Sequence, residues 1–195
     1  MLAASHWNSL EIVKLVVAGT TPVAVAVLAA VLSRALKQAE NRQWFSQKLV
    51  EKRIELLDTA LPDLNDLLCY FTWVGNWKEL SPTEVLERKR RLDRLFYANS
   101  PFFSTTALAA YEGFASVVFK TFVAPGTSAQ LRTTLTSRHG SRAQAFAHQW
   151  DPAWASMFTD KAEETSPEAV KERYEALTAA LGADVGAHPI AKDAS

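Results

Sequence analysis

The pattern of apolar and charged positions divides the chain after residue 33. Residues 15–33 carry no charged side chain, whereas apolar and charged residues mix at helical spacing through most of residues 34–182. At about 1.5 Å per residue, an uncharged helix of this length spans about 30 Å, the thickness of a bilayer's hydrocarbon core. The pattern therefore predicts a transmembrane helix over residues 15–33.

Two other interpretations of residues 15–33 stay open, a buried core helix and a cleaved secretion signal. A helix that is apolar on all faces needs a larger protein around it if it is to be a core helix. A secretion signal usually has a positively charged start and a small-x-small cleavage site, and neither is clear here. The run is also rich in alanine and is interrupted by residues that weaken a simple anchor: Gly19, Thr20, Thr21 and Pro22.

The charges on either side of the run predict its orientation. Lys14 is the only basic residue close before it, whereas six come after it: Arg34, Lys37, Arg42, Lys48, Lys52 and Arg53. Basic residues near a span favour the cytoplasmic side. We therefore expect residues 1–14 outside, a single pass, and the rest of the chain in the cytoplasm.

Small residues within the run predict close packing between helices. Ala18, Pro22, Ala26 and Ala30 recur every four positions, and small residues let helix backbones approach in lipid. Thr21 and Ser33 add hydroxyls that could line a polar path in an oligomer, or could bond a preceding carbonyl of their own helix. The run predicts a homo-oligomer with these residues at the span contact or pore, and the alternative is an alanine-rich monomeric anchor.

The part after the span is predicted to be helical. Residues 34–61 should form a juxtamembrane helical stalk and residues 62–182 a cytoplasmic helical domain, followed by a frayed tail over residues 183–195. One seam has the 3 and 4 spacing of an apolar helix face: Val50, Ile54, Leu57, Leu61, Leu64 and Leu68. Pro62 lies inside this seam, so the helix is either kinked there or ends and restarts. Gly75 and Asn76 should end it.

Start and stop signals place the later helices. "SPTE" at residues 81–84 predicts a capping box, with Val85, Leu92, Leu95 and Phe96 facing inward. Ser100 and Pro101 open a second helix with an apolar face at Ala107, Tyr111, Phe114, Val118 and Phe122, and "APGTS" at residues 124–128 ends it. Short helices and loops come next, and a last helix opens at Ser166 and Pro167 and ends at Gly182. The fold class is all-α.

Composition adds little to this prediction. The 21 basic residues balance the 21 acidic ones, so net charge gives no general attraction to nucleic acid, and a hydrophobic fraction of 48% is enough for a packed core. Cys69 is the only cysteine and lies in an apolar run, which favours buried packing over reactivity. Trp150 and Trp154, with Phe146 and Phe158, are interpreted as an aromatic pad at the end of the bundle.

The sequence offers no enzyme motif. The histidines His6, His139, His148 and His188 have no partner at a metal-ligand spacing, and hydrolase, P-loop and dinucleotide signatures are absent. We expect no catalytic residue, no metal site and no cofactor. Asp63 and Asp66 could form a catalytic carboxylate pair if the chain were an enzyme, but surface charge is the simpler interpretation.

Two basic stretches could hold phosphates. In residues 88–94 acids dilute the charge, and a solvated helix face is the simpler interpretation. In the second stretch no acid occurs between Ala129 and Trp150, and the candidate residues for an anionic ligand are Arg132, Arg138, His139 and Arg142. They predict a nucleotide or oligonucleotide signal, and an interface or ordinary surface is the alternative.

The layout of a short span over residues 15–33, a stalk and a compact helical domain resembles the small membrane effectors of bacterial anti-phage systems. It is similar to the single-span effector of Hailong-type systems. That resemblance implies an oligomer in the bacterial inner membrane, held by a nucleotide-derived oligomer, that opens a channel and stops infected cells in abortive infection. A cytoplasmic regulator protein is a further expected partner. The competing prediction is a membrane-anchored, non-enzymatic adaptor whose domain docks a cytoplasmic partner.

Overall fold

The computed structural model describes residues 9–121, 129–138 and 140–187, and it is mostly helical. Five α-helices are described: α1 Ser9–Thr72, α2 Pro82–Ala98, α3 Thr105–Val118, α4 Arg142–Ala145 and α5 Pro167–Asp184. Four two-residue strands lie after α3: β1 Phe119–Lys120, β2 Gln130–Leu131, β3 Thr136–Ser137 and β4 Gly140–Ser141. Short 3-10 helices cover four ranges: Trp77–Glu79, Ser100–Phe102, Pro152–Met157 and Lys161–Glu163.

The chain forms two units, residues 1–48 and residues 49–195. In the first unit α1 is the element described, and it presents apolar side chains to solvent: Val27, Leu28, Val31, Leu32, Leu36, Trp44 and Phe45. The rings of Trp44 and Phe45 meet edge to face, with 5.3 Å between their centroids. In the part of the chain that the structure describes, no helix has both the length and the apolar character that a membrane crossing requires.

Most of the residues predicted to pack the span have side chains outside the described part of the structure. The backbone of residues 15–33 belongs to α1. The side chains of Ala18, Thr21, Pro22, Ala26 and Ala30 are outside the described residues. Ser33 is described and exposed.

The buried face of α1 in the second unit coincides only in part with the seam that the sequence spacing predicts. Leu64 is buried as expected, and Leu57 and Leu68 are partly buried against the core, but Ile54 and Leu61 are 46% and 38% exposed. The buried positions are Leu56, Ala60, Leu64, Leu67, Tyr70 and Phe71. At 3.6 residues per turn this face is rotated by about a quarter turn from the predicted seam.

Pro62 neither ends nor restarts α1, which runs to Thr72. The predicted start of α2 is confirmed. Ser81 accepts a hydrogen bond from the backbone N–H of Glu84, and the Glu84 carboxylate accepts one from the backbone N–H of Ser81 at 2.8 Å. Val85, Leu92 and Phe96 are buried.

The helix α3 ends earlier than the apolar spacing suggests. Its N-cap is Ser104, after the turn at Ser100–Phe102, and four of its predicted inward residues are buried: Ala107, Tyr111, Phe114 and Val118. The fifth, Phe122, lies outside the described residues, as do residues 123–128. After Val118 the chain becomes extended, and Phe119 pairs with Leu131 in an antiparallel ladder. Two-residue strands are too short to produce an alternating pattern in the sequence, so they were not predicted.

The last helix begins at the predicted place but passes the predicted stop. Ser166 caps α5, and the helix continues through Gly182 to Asp184. The guanidinium of Arg53 donates to the carbonyl oxygen of Asp184 at 2.6 Å, and the Asp184 carboxylate accepts from the backbone N–H of Ser104 at 2.8 Å. The first contact gives a partner to a backbone carbonyl at the end of α5, which has no partner within the helix. Residues 188–195 of the predicted tail lie outside the described residues.

Candidate functional site

A tight turn after α1 brings two tryptophans together. Trp73 has a φ of 61° and Gly75 a φ of 60°, so the chain reverses in a left-handed conformation. A Cβ at Gly75 would lie 3.0 Å from the Sγ of Cys69, which is half-buried with a free thiol. The turn places the Trp73 and Trp77 rings with their centroids 4.9 Å apart. Glycine suits position 75 because it has no Cβ, so it adopts the positive φ without strain and leaves room for the Cys69 side chain.

Arg142 occupies the aromatic pocket that this turn creates. Its side chain is only 2% exposed, although it belongs to a four-residue helix. The guanidinium carbon lies 3.6 Å from the Trp73 ring centroid and 4.1 Å from that of Tyr70. Such stacking is characteristic of arginine, whose planar and weakly hydrated cation suits an aromatic face.

The hydrogen bonds of Arg142 go to neutral acceptors. Nη2 donates to the carbonyl oxygen of Tyr70 at 3.0 Å and to the hydroxyl of Thr133 at 3.1 Å, and Nε donates to the carbonyl oxygen of Thr134 at 3.3 Å. Nη1 is buried without a hydrogen-bond partner among the described residues. The guanidinium thus joins the end of α1 to the segment that carries β3 and β4.

Burial shifts the pKa values of both Arg142 and Tyr70. Burial lowers the pKa of Arg142 to about 10, while the fields of Tyr70 and Glu164 act to raise it. Burial raises the pKa of the Tyr70 phenol to about 12, and the charge of Arg142 acts to lower it. Arg142 is therefore a cation and Tyr70 is neutral at pH 7.

A cavity of about 810 Å³ lies next to this cluster. Its wall combines Trp73, hydroxyls, two basic residues and two acidic residues: Thr134, Thr136, Ser137, Arg138, Lys161, Glu164, Ser166, Pro167 and Glu168. The volume falls in the range of small-molecule sites. Trp73 and Thr134 contact Arg142 as well, so the buried guanidinium supports this wall from behind.

The acidic and basic side chains of the cavity wall differ in how firmly they are held. The Oε1 atom of Glu164 accepts a hydrogen bond from the Thr134 hydroxyl at 3.0 Å. Lys161 and Glu168 are exposed, and neither forms an ion pair within the described ranges of the chain. The cavity therefore offers one oriented carboxylate and two accessible groups of opposite charge.

Comparison with known proteins finds no match. No family model, no curated protein and no solved structure is similar to this chain. The function must therefore be argued from the residues themselves.

The structure places the candidate residues for an anionic ligand in different environments. Arg138 lines the cavity and is exposed. Arg142 is 2% exposed and is enclosed by aromatic rings and carbonyl groups. The backbone of Arg132 bonds to Val118 and to Thr165, which lies between the cavity residues Glu164 and Ser166, and its Nε is buried without a partner among the described residues. His139 is outside the described residues.

The other basic stretch, residues 88–94, is tied to the two carboxylates that could have formed a catalytic pair. The Arg88 Nε atom donates to Asp66 at 2.8 Å, and Arg91 makes a two-pronged contact with Asp63 at 2.7 and 2.9 Å. The hydrogen bond to Asp63 holds the pKa of Arg91 above its usual value. The four side chains thus join α1 to α2 as ion pairs.

The aromatic residues from 146 to 158 do assemble. Trp150 and Trp154 meet edge to face with centroids 5.2 Å apart, and Phe146 contacts both rings. Trp150 also stacks on the buried Phe158. Trp150 therefore packs on the core, and Phe146 and Trp154 pack on Trp150. Within the described ranges, no group of three or more metal-ligating side chains is close enough to hold an ion.

Sequence reasoning missed most of the cavity wall. Trp73, Lys161 and Glu164 lie far apart along the chain and belong to no motif. The available signals were the run of hydroxyl residues at 133–137 and the cap at Ser166, both of which mark exposed polar turns. Neither signal indicates that the two turns face the same cavity.

Proposed function

We propose that this chain is an oligomeric membrane effector of bacterial anti-phage defence. Its first helix enters the inner membrane with the N-terminus outside. Its helical domain, residues 49–187, lies in the cytoplasm, brings several copies together and gates their first helices so that the membrane becomes permeable. Catalysis has no part in the proposal.

The observation that carries this proposal is the exposed apolar surface of α1. Val27, Leu28, Val31 and Leu32 are 57–64% exposed on successive turns of α1. A contiguous apolar surface of this kind marks contact with a membrane or a protein. Arg34 and Lys37 come directly after it in the sequence, where lipid headgroups would attract basic side chains.

Two further features support the assembly of several copies. Ala18, Pro22, Ala26 and Ala30 recur every four positions before Arg34. Lipid gives helices no hydrophobic drive to associate, so contact between small residues has to supply it. The exposed pair Trp44 and Phe45 offers a further contact for another copy.

Membrane entry is tested by vesicle flotation of the intact chain. Wild-type protein is expected to float with vesicles of bacterial lipid composition and to resist washing with salt. The double variant Val31→Arg, Leu32→Arg should remain at the bottom, because arginine in hydrocarbon costs about 3 kcal/mol on insertion scales. Its matched control is Val74→Arg, Tyr97→Arg, at two exposed apolar positions of the second unit. Equal flotation of both double variants would refute membrane entry at this site.

The effector activity is tested by membrane depolarisation in cells that overexpress the chain. Wild-type protein is expected to depolarise the inner membrane. Ala26→Leu, Ala30→Leu should insert but lose this activity, since larger side chains hold the helices apart. The control is Ala109→Leu, Ala176→Leu, at exposed helical positions of the second unit. Flotation without depolarisation by the wild-type chain would contradict the effector and favour the anchored adaptor.

A further inference from the structure

We infer that the cavity between Trp73 and the start of α5 is a binding site for a small zwitterion, a molecule with both an ammonium and a carboxylate group. An amino acid or a short peptide has this chemistry. The inference concerns residues 73–168 alone and does not depend on membrane entry.

The balance of charge in the cavity wall carries the argument. Arg138 and Lys161 are basic, and Glu164 and Glu168 are acidic, so the wall has two charges of each sign. The two basic residues would attract a polyanion, and the two acidic residues would repel it. A ligand that carries both charges can pair with Lys161 and with the two acids at once, and this complementarity selects it against ions of a single sign.

The two accessible charges give the ligand an orientation. Lys161 has no carboxylate partner within the described ranges, and a ligand carboxylate would supply one. Glu168 likewise lacks a basic partner there, and Glu164 has one oxygen held by Thr134. A ligand ammonium between these two acids completes the pairing. Groups that are already ion-paired, such as Arg91 with Asp63, would first have to lose a partner.

The remaining wall supplies shape and hydrogen bonds. Thr136, Ser137 and Ser166 line the cavity with hydroxyls that can donate or accept, and the Trp73 indole provides an apolar face. Trp73 is fixed from behind by the Arg142 guanidinium at 3.6 Å and by Trp77. A largely pre-formed wall with a few placed polar groups is typical of sites for small molecules.

The test is saturation-transfer NMR on the full chain in detergent micelles. The probes are the twenty common amino acids one at a time, trialanine, N-acetylalanine, alaninamide and inorganic phosphate. At least one zwitterion is expected to bind saturably, and its acetylated or amidated form should bind about tenfold more weakly, because each loses one charged hydrogen bond. No binding by any zwitterion at about 10 mM would overturn the inference. Phosphate that competes as well as the zwitterion would also overturn it, in favour of an anion site.

Variants assign the binding to this cavity. Lys161→Met and Glu168→Gln should each weaken the zwitterion about tenfold. Lys171→Met and Glu172→Gln make the same changes at exposed positions of α5 that do not line the cavity, and they should leave affinity unchanged. If all four variants bind alike, the zwitterion site lies elsewhere and the inference is wrong.

Discussion

The guanidinium carbon of Arg142 lies 3.6 Å from the centre of the Trp73 ring. Trp73 belongs to the turn that ends α1, and Arg142 begins the short helix α4, so this contact joins distant parts of the second unit. The arginine also donates to the carbonyl oxygen of Tyr70 and to the hydroxyl of Thr133. Lysine could keep the charge but not the stacking or the forked set of donors.

Arg142→Lys should therefore destabilise the domain by about 2–3 kcal/mol, the cost of unmade buried hydrogen bonds to a charged group. Urea unfolding followed by tryptophan fluorescence measures this loss. Arg138→Lys is the matched control, and at this exposed position the change should stay within about 0.5 kcal/mol. Equal stability of the two variants would show that the aromatic enclosure of Arg142 contributes nothing.

The rotated face of α1 predicts which leucines matter for stability. Leu64 is fully buried and Leu61 is 38% exposed, although the sequence spacing put both on one seam. Leu64→Ala should cost about 2–5 kcal/mol and Leu61→Ala less than about 1 kcal/mol, because only the first creates a cavity in the core. Thermal or urea unfolding of the two variants gives the difference directly, and similar losses would restore the seam predicted from spacing.

The capping box of α2 predicts a larger effect than a single cap. Ser81→Ala removes the acceptor for the Glu84 N–H and a 2.7 Å hydrogen bond to the Glu84 carboxylate, and should cost about 1–2 kcal/mol. Ser104→Ala removes only the cap of α3 and should cost about 1 kcal/mol. Ser116→Ala, at an exposed position within α3, is the baseline. A Ser81 variant no less stable than this baseline would contradict the account.

The capping box of α2 also predicts how the stability of the fold depends on pH in the acidic range. Burial acts to raise the pKa of Glu84, but the bonds from Ser81 and the charge of Arg88 outweigh it and lower that pKa. The folded-state value lies below the unfolded one, so the Glu84 contribution is present above about pH 4.3 and is lost as pH falls through the folded pKa. Glu84→Gln should be less stable than wild type at pH 7, and the two should converge at low pH. A constant difference would refute this.

At high pH, stability should fall as buried tyrosines ionise. Burial raises the pKa of Tyr70 to about 12, and burial with the hydrogen bond to Asp93 raises that of Tyr111 further. Folded values above the unfolded value of about 10 mean that this contribution is complete below about pH 10 and is lost as pH rises through the folded pKa. Ultraviolet absorbance of tyrosinate should show these phenols ionising together with unfolding. Full ionisation near pH 10 in the folded chain would contradict their burial.

The sequence was informative where a local group decides the structure. Ser81 with Glu84, and Ser166 with Pro167, predict helix starts because capping depends only on neighbouring residues. It was less informative where a distant residue decides. Arg53 bonds to the carbonyl oxygen of Asp184, where α5 ends two residues past Gly182, and the aromatic rings near the end of α1 enclose Arg142. The cavity could not be predicted, because Lys161 and Glu164 reach Trp73 only through the fold.

The central claim is that the first helix enters a bilayer and that the domain assembles several copies. Mass photometry of the intact chain reconstituted in lipid nanodiscs tests both parts at once. The account predicts discs that carry one defined number of copies greater than one. Empty discs with the intact chain left in the detergent-free supernatant, or discs that carry single copies only, would contradict it.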